Sequence, residues 1–415
     1  MKVIVVGGGI GGLTTALNLH AQGIECELFE QSPSIRELGV GINILPHAIK
    51  ELTELGLLEA LDEVAIHTRE LIYTNRFGQE IWRELRGHDA GYDHPQISIH
   101  RGKLLAVLHN ALEQRIGQGN IHTDHRLMSF VQDNDSVNAT FLRRNAPDKT
   151  VRVSGDALIA ADGIHSTVRR KFYPDEGDPR WNGFMLWRGA VNCAPFLTGR
   201  SMLVAGGMQA KVVLYPVTHY QGSPPTNLAY WGVLVKLGDG SAPPARREDW
   251  KRLGQLDELL PYVEGVFQLP TIDLVEIIRS TPEIYEYPMC DRDPLPKWSF
   301  SRVTLLGDAA HPMYPVGSNG ASQAILDASC LATMLAESKD VATALQAYES
   351  ARLPVTAQIV QNNRAGGPER VIDLVEERAP EGFTHLDEIA SHDELETIVK
   401  GYSKMAGFDQ NQVNR

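Results

Sequence analysis

The sequence is poor in cysteine. Only four of its 415 residues are cysteines, Cys26, Cys193, Cys290 and Cys330. They form no C-x-x-C pair, and no histidine lies near them at metal-ligand spacing. This pattern predicts neither a structural zinc site nor a thiol–disulfide centre, and we expect no metal.

Positive charge and long apolar runs are also scarce. The 39 Lys and Arg residues against 52 Asp and Glu residues give a formal net charge of −13, which repels nucleic acid and anionic membranes. No window of about 18 apolar residues could span a membrane. The apolar N-terminus is crowded with glycine and lacks a cleavage site, so we interpret it as mature sequence. We therefore expect no nucleic-acid or membrane partner and a cytoplasmic location. The oligomeric state is not indicated.

Glycine, by contrast, is well represented, with 37 residues, and several cluster near the N-terminus. A β-branched run at Lys2–Val6, a helical stretch from Leu13 to Gln22 and a second apolar run at Glu25–Glu30 predict a βαβ unit. The pattern Gly7-x-Gly9-x-x-Gly12 lies at its first strand–helix junction. These glycines allow, in order, a tight turn, close approach of a pyrophosphate and packing of helix on strand.

The βαβ unit therefore predicts a dinucleotide site. The N-terminus of its helix offers free N–H groups to an anion. Glu30 ends the second strand, where its carboxylate can accept hydrogen bonds from ribose hydroxyls. The same carboxylate disfavours a 2′-phosphate, so this site leaves FAD and NAD open and makes NADP a poor fit.

The rest of the chain changes character several times. The spacing of apolar residues predicts helices near 46–61, over Arg101–Arg115 and over Ala321–Glu337, and an acidic helical tail over the last 50 residues. Strands are predicted at Arg302–Leu306 and in a hairpin of Glu70–Asn75 with Glu80–Glu84. Short apolar strands between Gly- and Pro-rich loops predict a mixed sheet in the middle third: Phe184–Val191, Ser201–Val204, Lys211–Pro216 and Leu228–Lys236.

Two further motifs follow predicted strands. Asp162-Gly163 lies within Ala160–Arg169, and Gly307-Asp308 begins the stretch Gly307–Pro312. Each motif alone is typical of a turn. Together with the N-terminal glycines, they make the sequence resemble the single-component FAD-dependent aromatic hydroxylases of the p-hydroxybenzoate hydroxylase fold, most closely the salicylate and phenazine-1-carboxylate hydroxylase type. The resemblance extends over residues 1 to about 360 and includes 35–43, 99–102, 185–189, 287–298 and 302–327.

The resemblance implies an α/β fold in which a Rossmann-like FAD-binding domain carries an inserted mixed β-sheet substrate domain and a C-terminal helical tail. Its implied boundaries are 1–71, 98–176 and 284–365 for the FAD domain, 72–97 and 177–283 for the substrate domain, and 366–415 for the tail. We find one nucleotide fingerprint only. We therefore expect no second nucleotide-binding domain.

The resemblance also assigns cofactor-binding residues. It implies that Glu30 binds the adenosine ribose, that Arg36 and Arg101 contact the ribityl-pyrophosphate region, and that Asp308 binds the ribityl chain. A surface salt bridge is the alternative for the two arginines, and a turn cap is the alternative for Asp308. The full implied set is Gly7, Gly9, Gly12, Glu30, Arg36, Arg101, Asp162, Gly163, Gly307 and Asp308.

A loop of small residues after Gly307-Asp308 is implied to cradle the flavin ring. The backbone N–H groups of such a loop, and the helix that follows it, favour negative charge on a reduced flavin. His311 lies in the same region, and we expect it to be structural rather than a proton-transfer group. The loop residues in question are Pro315, Gly317, Asn319 and Gly320.

The implied activity is that of a monooxygenase. NADH or NADPH reduces bound FAD, O2 adds to form a flavin C4a-hydroperoxide, and its terminal oxygen passes to an electron-rich ring. The expected substrate is a small aromatic or N-heteroaromatic compound, carboxylated or phenolic, hydroxylated with or without loss of a carboxyl group. The chemistry is borne by the flavin, so no catalytic side chain is expected. The nicotinamide coenzyme is expected to bind transiently, and the sequence leaves both NADH and NADPH open.

The predicted middle sheet is expected to form the substrate pocket. Strand alternation places Met185 and Trp187 on one face and Arg188 on the other, so the three cannot all face the ring. Arg188 suits a carboxylate or phenolate. Core packing is the alternative for Trp187 and Tyr215. The candidate pocket residues are Met185, Trp187, Arg188, Leu203, Val213, Tyr215 and Trp231.

Three other functions share these motifs. A flavin-dependent halogenase would normally carry a W-x-W-x-I-P signature, which the sequence lacks. A disulfide reductase would need a redox cysteine pair. A non-catalytic FAD- or ligand-binding protein would keep the glycine loops without coupling coenzyme oxidation to a ligand.

Overall fold

The structure is a computed structural model and describes residues 1–35, 40–220, 226–244, 249 and 252–415. Its strands are β1 (Lys2–Val6), β2 (Glu25–Phe29), β3 (Gly41–Ile44), β4 (Ala65–His67), β5 (Glu70–Asn75), β6 (Glu80–Leu85), β7 (Ile97–His100), β8 (Ile121–His122), β9 (His125–Gln132), β10 (Val137–Arg143), β11 (Ala146–Gly155), β12 (Ala157–Ala160), β13 (Arg180–Cys193), β14 (Ser201–Gly206), β15 (Ala210–Tyr220), β16 (Thr226–Lys236), β17 (Tyr285–Asp291), β18 (Ser299–Phe300) and β19 (Val303–Leu305).

The α-helices alternate with these strands at first and then form the C-terminal part of the chain. They are α1 (Ile10–Ala21), α2 (Pro46–Glu54), α3 (Leu58–Asp62), α4 (Arg101–Ile116), α5 (Thr167–Phe172), α6 (Leu256–Leu259), α7 (Leu274–Arg279), α8 (Gly320–Glu337), α9 (Val341–Arg364), α10 (Arg370–Arg378), α11 (His392–Met405) and α12 (Gln410–Val413). Among the described residues, no helix combines the length and apolarity needed to cross a membrane.

The predicted βαβ unit is confirmed and lies at the centre of a six-stranded sheet. The strand order is β18-β19-β12-β1-β2-β8, and every pair is parallel except β18 with β19. Because the strands are parallel, β1, β12 and β19 end at the same edge of the sheet. That edge carries all three glycine and aspartate motifs, although they lie near residues 7, 162 and 307 of the chain.

The predicted mixed sheet is confirmed in a seven-stranded sheet of order β17-β13-β16-β15-β14-β5-β6. Only β14 and β5 pair in parallel. One expected boundary does not match this sheet. The boundary before residue 284 places β17 with the FAD domain, whereas β17 pairs with β13, because this apolar strand satisfies its backbone groups along the free edge of β13.

Two smaller sheets complete the fold. The order β3-β7-β4 forms one of them, and the antiparallel order β11-β10-β9 forms the other, which the sequence did not predict. The helix expected near 46–61 is two helices. Gly56, with φ +69°, interrupts it between α2 and α3 in a conformation that few other residues adopt.

The two faces of the seven-stranded sheet pack against different partners. On one face Trp187, Trp231 and Leu203 pack against α6 and α7 in a closed core. On the other face Tyr215 and Tyr230 belong to a cluster that includes residues of α10 and α11. The acidic tail is therefore helical, as expected, and it packs on the body of the protein beside the face of the sheet that carries the tyrosines.

Candidate active site

The N-terminal glycine loop adopts a conformation that excludes side chains at two positions. Gly7 has φ +111°, and a Cβ there would lie 2.2 Å from the carbonyl oxygen of Ala161. A Cβ on Gly12 would lie 1.9 Å from the carbonyl oxygen of Gly7. Gly9 differs, because no atom lies within 4 Å of the position of its Cβ. The open space above Gly9 is where a ligand can approach the backbone.

The helix that follows this loop presents its N-terminus to that space. α1 has Gly9 as its N-cap, and in the described part of the chain no side-chain cap is made to its first N–H groups. Glu30 braces the loop: its Oε2 accepts a hydrogen bond from the Gly8 N–H at 2.6 Å and its Oε1 accepts one from the Ser32 N–H at 2.7 Å. Each oxygen keeps a further lone pair, so this bracing is compatible with an additional ribose contact.

Arg36 lies outside the described residues. Arg101 is the first residue of α4 and lines the same cavity as Gly9. His100 caps this helix, because its Nδ1 accepts a hydrogen bond from the Gly102 N–H at 3.2 Å. Burial lowers the pKa of Arg101, and the charge of Asp308 acts against that shift. The cavity thus places a half-buried cation within electrostatic reach of an aspartate.

The Gly307-Asp308 motif sits at the end of β19. Gly307 has φ +59°, and its N–H donates to Asp327 Oδ2 at 3.2 Å. Asp308 lines the cavity, and it is exposed to that space. Burial raises the pKa of Asp308, while His311 and Arg101 act to lower it. This motif offers a hydrogen-bond acceptor to a ligand in the cavity.

The two residues of the Asp162-Gly163 motif differ in position: Asp162 holds the start of α5, and Gly163 lines the cavity. Asp162 Oδ2 accepts a hydrogen bond at 2.7 Å from the N–H of Thr167, the first residue of α5. Burial raises the pKa of Asp162, and its buried Oδ1 has no hydrogen-bond partner among the described residues. Asp162 does not line the main cavity. Gly163 does, with φ +78° and open space at its Cβ position.

The loop before α8 also lines the cavity. Pro315, Gly317 and Gly320 line the cavity, whereas Asn319 does not. Asn319 is fully buried, and its Nδ2 donates to Tyr402 Oη at 2.9 Å and to the Gly317 carbonyl at 3.1 Å. The Asn319 side chain therefore supports the loop from behind rather than lining the cavity.

His311 lies in a buried polar network. It is 2% exposed, and its Nε2 lies 2.5 Å from Asp327 Oδ2. Asp327 Oδ1 accepts a hydrogen bond from Arg352 Nε at 2.7 Å. This buried network joins the Gly307 loop to α8 and α9.

These elements enclose one cavity of about 380 Å³, which extends from the glycine loop across the face of the seven-stranded sheet. Three of the predicted pocket residues line it: Arg188, Val213 and Tyr215. The other four do not. Met185, Trp187, Leu203 and Trp231 belong to the closed core on the opposite face of the sheet, where Trp231 Nε1 donates to Thr281 Oγ1 at 2.7 Å. The alternation of β13 decides this outcome, because Met185 and Trp187 alternate with Arg188.

Arg188 lies in an aromatic setting. It is 7% exposed and sits in one cross-strand row with Gly232 and Val213. Burial lowers the pKa of Arg188 to about 10, so it remains a cation at neutral pH. The rings of Tyr215 and Tyr230 lie beside it with centroids 4.7 Å apart. A buried cation between aromatic side chains suits the carboxylate or phenolate of a flat aromatic ligand.

Sequence reasoning missed a large part of the cavity wall. The tyrosines of β5, β16 and β17 could have been found by extending the alternation of Arg188 and Val213 to the neighbouring strands. The tail residues had no sequence signal, because they depend on how α11 packs. The missed lining residues include Tyr73, Met202, Val204, Tyr230, Tyr287, Val399, Tyr402, Ser403 and Phe408.

The geometry fits FAD. The space above Gly9, the uncapped start of α1, and the facing side chains of Arg101 and Asp308 would hold its phosphates and ribityl chain. The loop at 315–320 would lie at its ring. The fold and the site therefore define a flavin-binding oxidoreductase with a second, aromatic compartment beside the flavin.

Comparison with known proteins agrees with this class. The family described as FAD binding domain matches residues 1–181 and 286–363. Phenazine 1,6-dicarboxylic acid hydroxylase PhzS of Lysobacter antibioticus is 43% identical over 364 residues, covering 87% of this chain and 89% of PhzS. 3-Hydroxybenzoate 6-hydroxylase 1 of Aquipseudomonas alcaligenes is 30% identical over 375 residues, covering 88% of each chain.

Solved structures show the same fold. Klebsiella pneumoniae HpxO, in complex with FAD and uric acid, has a TM-score of 0.74 and 23% sequence identity, covering 100% of this chain and 96% of HpxO.

The chain belongs to the FAD binding domain family, and within it the chain is an FAD-dependent aromatic monooxygenase that uses NAD(P)H and O2.

Proposed function

We propose that the chain hydroxylates a carboxylated or phenolic aromatic or N-heteroaromatic compound, with or without loss of a carboxyl group. The observation that carries the proposal is the position of Arg188. It is a buried cation on the aromatic wall of the cavity, on the sheet that faces the loop at 315–320. The phenazine dicarboxylate and 3-hydroxybenzoate named for two relatives are ligands of this kind.

The protein's own residues would bind, orient and shield the ring. Arg188 would hold the acidic substituent, and the rings of Tyr215 and Tyr230 would fix the plane of the aromatic system. Bound FAD supplies electron transfer from the coenzyme and activation of O2. The sheet on one side and α11 on the other would keep water from the reacting centre.

We further propose that the nicotinamide coenzyme binds transiently on the FAD domain rather than in a domain of its own. The Asp162-Gly163 motif supports this placement, because Gly163 opens to the cavity while Asp162 fixes the start of α5. We place the protein in the cytoplasm, since all four cysteines are free thiols, as a reducing compartment favours.

The test is a screen of aromatic acids against the FAD-loaded protein. We expect the rate of NADH or NADPH oxidation to rise at least several-fold with one class of aromatic acid, and oxygen-18 from labelled O2 to enter the product. Product without label, or coenzyme oxidation that no aromatic acid accelerates, would contradict the proposal. The second result would favour a non-catalytic binding protein.

A further inference from the structure

The cavity has a second polar end, remote from Arg188. Arg86, which follows β6, and Gln96, which precedes β7, both line it. Gly87 brings the two segments together, because a Cβ on it would lie 2.5 Å from the backbone nitrogen of Gln96. We call one part of the cavity the remote end; it is lined by Arg86, Gln96, Glu84 and Glu369. The flavin-binding motifs assign no role to any of these four residues.

Two buried polar atoms at the remote end lack hydrogen-bond partners among the described residues. They are Nε of Arg86 and Oε1 of Gln96. Gln96 is only 2% exposed, so bulk water does not solvate its amide. An unpaired buried donor or acceptor costs about 1–3 kcal/mol, and native proteins keep few of them without a reason. A donor and an acceptor left open together in one cavity point to a ligand that supplies the complementary pair.

The charges around the remote end disfavour a carboxylate. Arg86 forms an ion pair with Glu84, and Lys211 Nζ lies 2.8 Å from Asp373 Oδ1 and 3.9 Å from Glu369 Oε2. Each of the two cations is thus already paired with a carboxylate, and Glu369, whose pKa is raised by burial, adds a third acidic group. An additional anion would meet net repulsion, whereas a neutral group that both accepts and donates would satisfy Arg86 and Gln96 without disturbing the pairs.

The distance between the two ends sets a minimum ligand length. Arg188 is on β13 and Glu84 on β6, five strands apart in the sheet. At about 4.8 Å per strand the two strands lie roughly 24 Å apart along the sheet. Long side chains reach in from each end by about 5–7 Å, which leaves a gap of about 10–14 Å. A benzoate, at roughly 7 Å, is shorter than this gap.

The remote end also adjoins the flavin loop. Tyr73 lies near Arg86, Glu84 and Glu369, whose charges act on its hydroxyl, and near Tyr402. The hydroxyl of Tyr402 in turn lies 3.3 Å from the carbonyl oxygen of Val316. A ligand that extends from Arg188 to Arg86 would therefore pass beside the loop at 315–320, where the ring is to be oxidised.

We infer that the substrate is larger than one ring: a fused or extended aromatic acid whose carboxylate binds Arg188 and whose far side carries an uncharged donor–acceptor group, such as a carboxamide or hydroxyl, bound by Arg86 and Gln96. This inference rests on the proposed function. The inferred substrate differs from the dicarboxylate named for PhzS, because its group at the remote end is neutral rather than a second carboxylate.

The test uses the FAD-loaded protein and three probes: phenazine-1-carboxylate, 6-carbamoylphenazine-1-carboxylate and phenazine-1,6-dicarboxylate. Binding is followed by the change in flavin absorbance. We expect the carbamoyl acid to bind about tenfold tighter than the monoacid and the dicarboxylate to bind more weakly than the carbamoyl acid. In Gln96→Leu the preference for the carbamoyl acid should fall to within about twofold, while the monoacid binds as before.

A matched control is Thr74→Val. Thr74 also has a buried hydroxyl without a partner among the described residues, but it lies outside the cavity lining on the strand that carries Tyr73. This variant should keep the tenfold preference. Thermal stability of both variants should match or exceed that of the wild type, because each removes an unpaired polar atom.

Three results would overturn the inference. They are equal binding of the monoacid and the carbamoyl acid, tighter binding of the dicarboxylate than of the carbamoyl acid, and a Gln96→Leu variant that weakens all probes alike. Any of these, with aromatic acids still accelerating coenzyme oxidation, leaves the proposed function standing. Failure of every probe to bind and of every aromatic acid to accelerate oxidation would overturn both.

Discussion

The hydroxyl of Tyr402, in the C-terminal helix α11, lies 2.9 Å from Nδ2 of Asn319 at the start of α8. The same hydroxyl donates to Oδ1 of Asn363 at 2.7 Å. Its ring also fills the space beside Gly317, where a Cβ would lie 2.6 Å from it. A residue of the tail therefore holds the loop at 315–320, which lines the cavity, so the tail is part of the scaffold of the candidate site.

Removal of this hydroxyl should loosen the loop. Tyr402→Phe leaves the buried amides of Asn319 and Asn363 short of a partner, at a cost of about 1–3 kcal/mol in the free energy of unfolding. We expect weaker FAD binding, measured by release of flavin fluorescence on dilution, together with a lower urea midpoint. Tyr262→Phe is the control, since Tyr262 is exposed and lies outside the cavity lining. Unchanged FAD affinity in Tyr402→Phe would contradict the assigned role.

The buried Asp327 predicts a pH-dependent contribution to stability. Burial alone would raise the pKa of Asp327, but His311 and Arg352 outweigh it and hold the pKa below its ordinary value. A carboxyl group with a lowered folded-state pKa stabilises the protein above the unfolded pKa of about 4, and this stabilisation is lost as the pH falls further. Asp327→Asn removes the titrating group and leaves Arg352 without its ion pair.

We expect Asp327→Asn to lower the free energy of unfolding by about 3–5 kcal/mol at pH 7. The gap between wild type and variant should narrow as the pH falls below about 4. Urea unfolding between pH 3.5 and pH 7 measures both. A gap that stays constant over this range would show that the charge of Asp327 is not what stabilises the junction of the Gly307 loop with α8 and α9.

The sequence predicted the parts of the fold that are governed by local rules. Gly7, Gly9 and Gly12 specify a backbone path, and the run Lys2–Val6 forms a strand with the predicted bounds. Asp308 and Arg101 lie in motifs from which the family resemblance predicted cofactor-binding residues. The orientation of the Asn319 side chain could not be predicted, because the position of a residue in a motif does not determine whether its side chain faces the ligand or supports the loop from behind.

The parts that were missed depend on long-range packing. Strand alternation separated Met185 and Trp187 from Arg188, but no local feature of the sequence indicated which face of the sheet would line the cavity. Likewise Tyr402 lies 83 residues from Asn319, and only the packing of α11 brings them together. The helix expected near 46–61 was wrong at Gly56, where apolar spacing continued although a left-handed turn broke the helix.

Adjacent residues of β13 give a test of which face carries the site. Trp187 is 2% exposed and lies in the core opposite the cavity, so Trp187→Ala should cost about 3–5 kcal/mol of stability. The folded fraction should keep its FAD content and its affinity for aromatic acids. Of the two expectations from sequence for Trp187, a place in the pocket or core packing, its position favours core packing.

Arg188→Met is the matching change on the other face. It retains an unbranched side chain, so we expect the fold and the FAD content to persist. Loss of a charge-assisted contact should raise the Kd for aromatic acids about 10- to 100-fold. Flavin absorbance titration with salicylate and phenazine-1-carboxylate measures it. The assignment of faces would be wrong if Trp187→Ala altered ligand affinity and Arg188→Met left it unchanged.

The glycine loop offers a comparison of two single-methyl additions. Gly9 has φ −79°, a conformation open to any residue, and nothing lies within 4 Å of its Cβ position. Gly9→Ala should therefore fold with a melting temperature within a few degrees of the wild type. Its methyl group would point into the space assigned to the pyrophosphate, so FAD affinity should fall at least tenfold. The measurements are a thermal melt of the apoprotein and a titration with FAD.

Gly7→Ala should behave in the opposite way. Its φ of +111° and the 2.2 Å approach of its Cβ to the Ala161 carbonyl oxygen force β1 and β12 apart. We expect a loss of several kcal/mol in the stability of the apoprotein, before any ligand is added. If Gly9→Ala retained wild-type FAD affinity, the pyrophosphate could not lie above Gly9. If Gly7→Ala were as stable as wild type, the close contact between β1 and β12 could not be what requires glycine there.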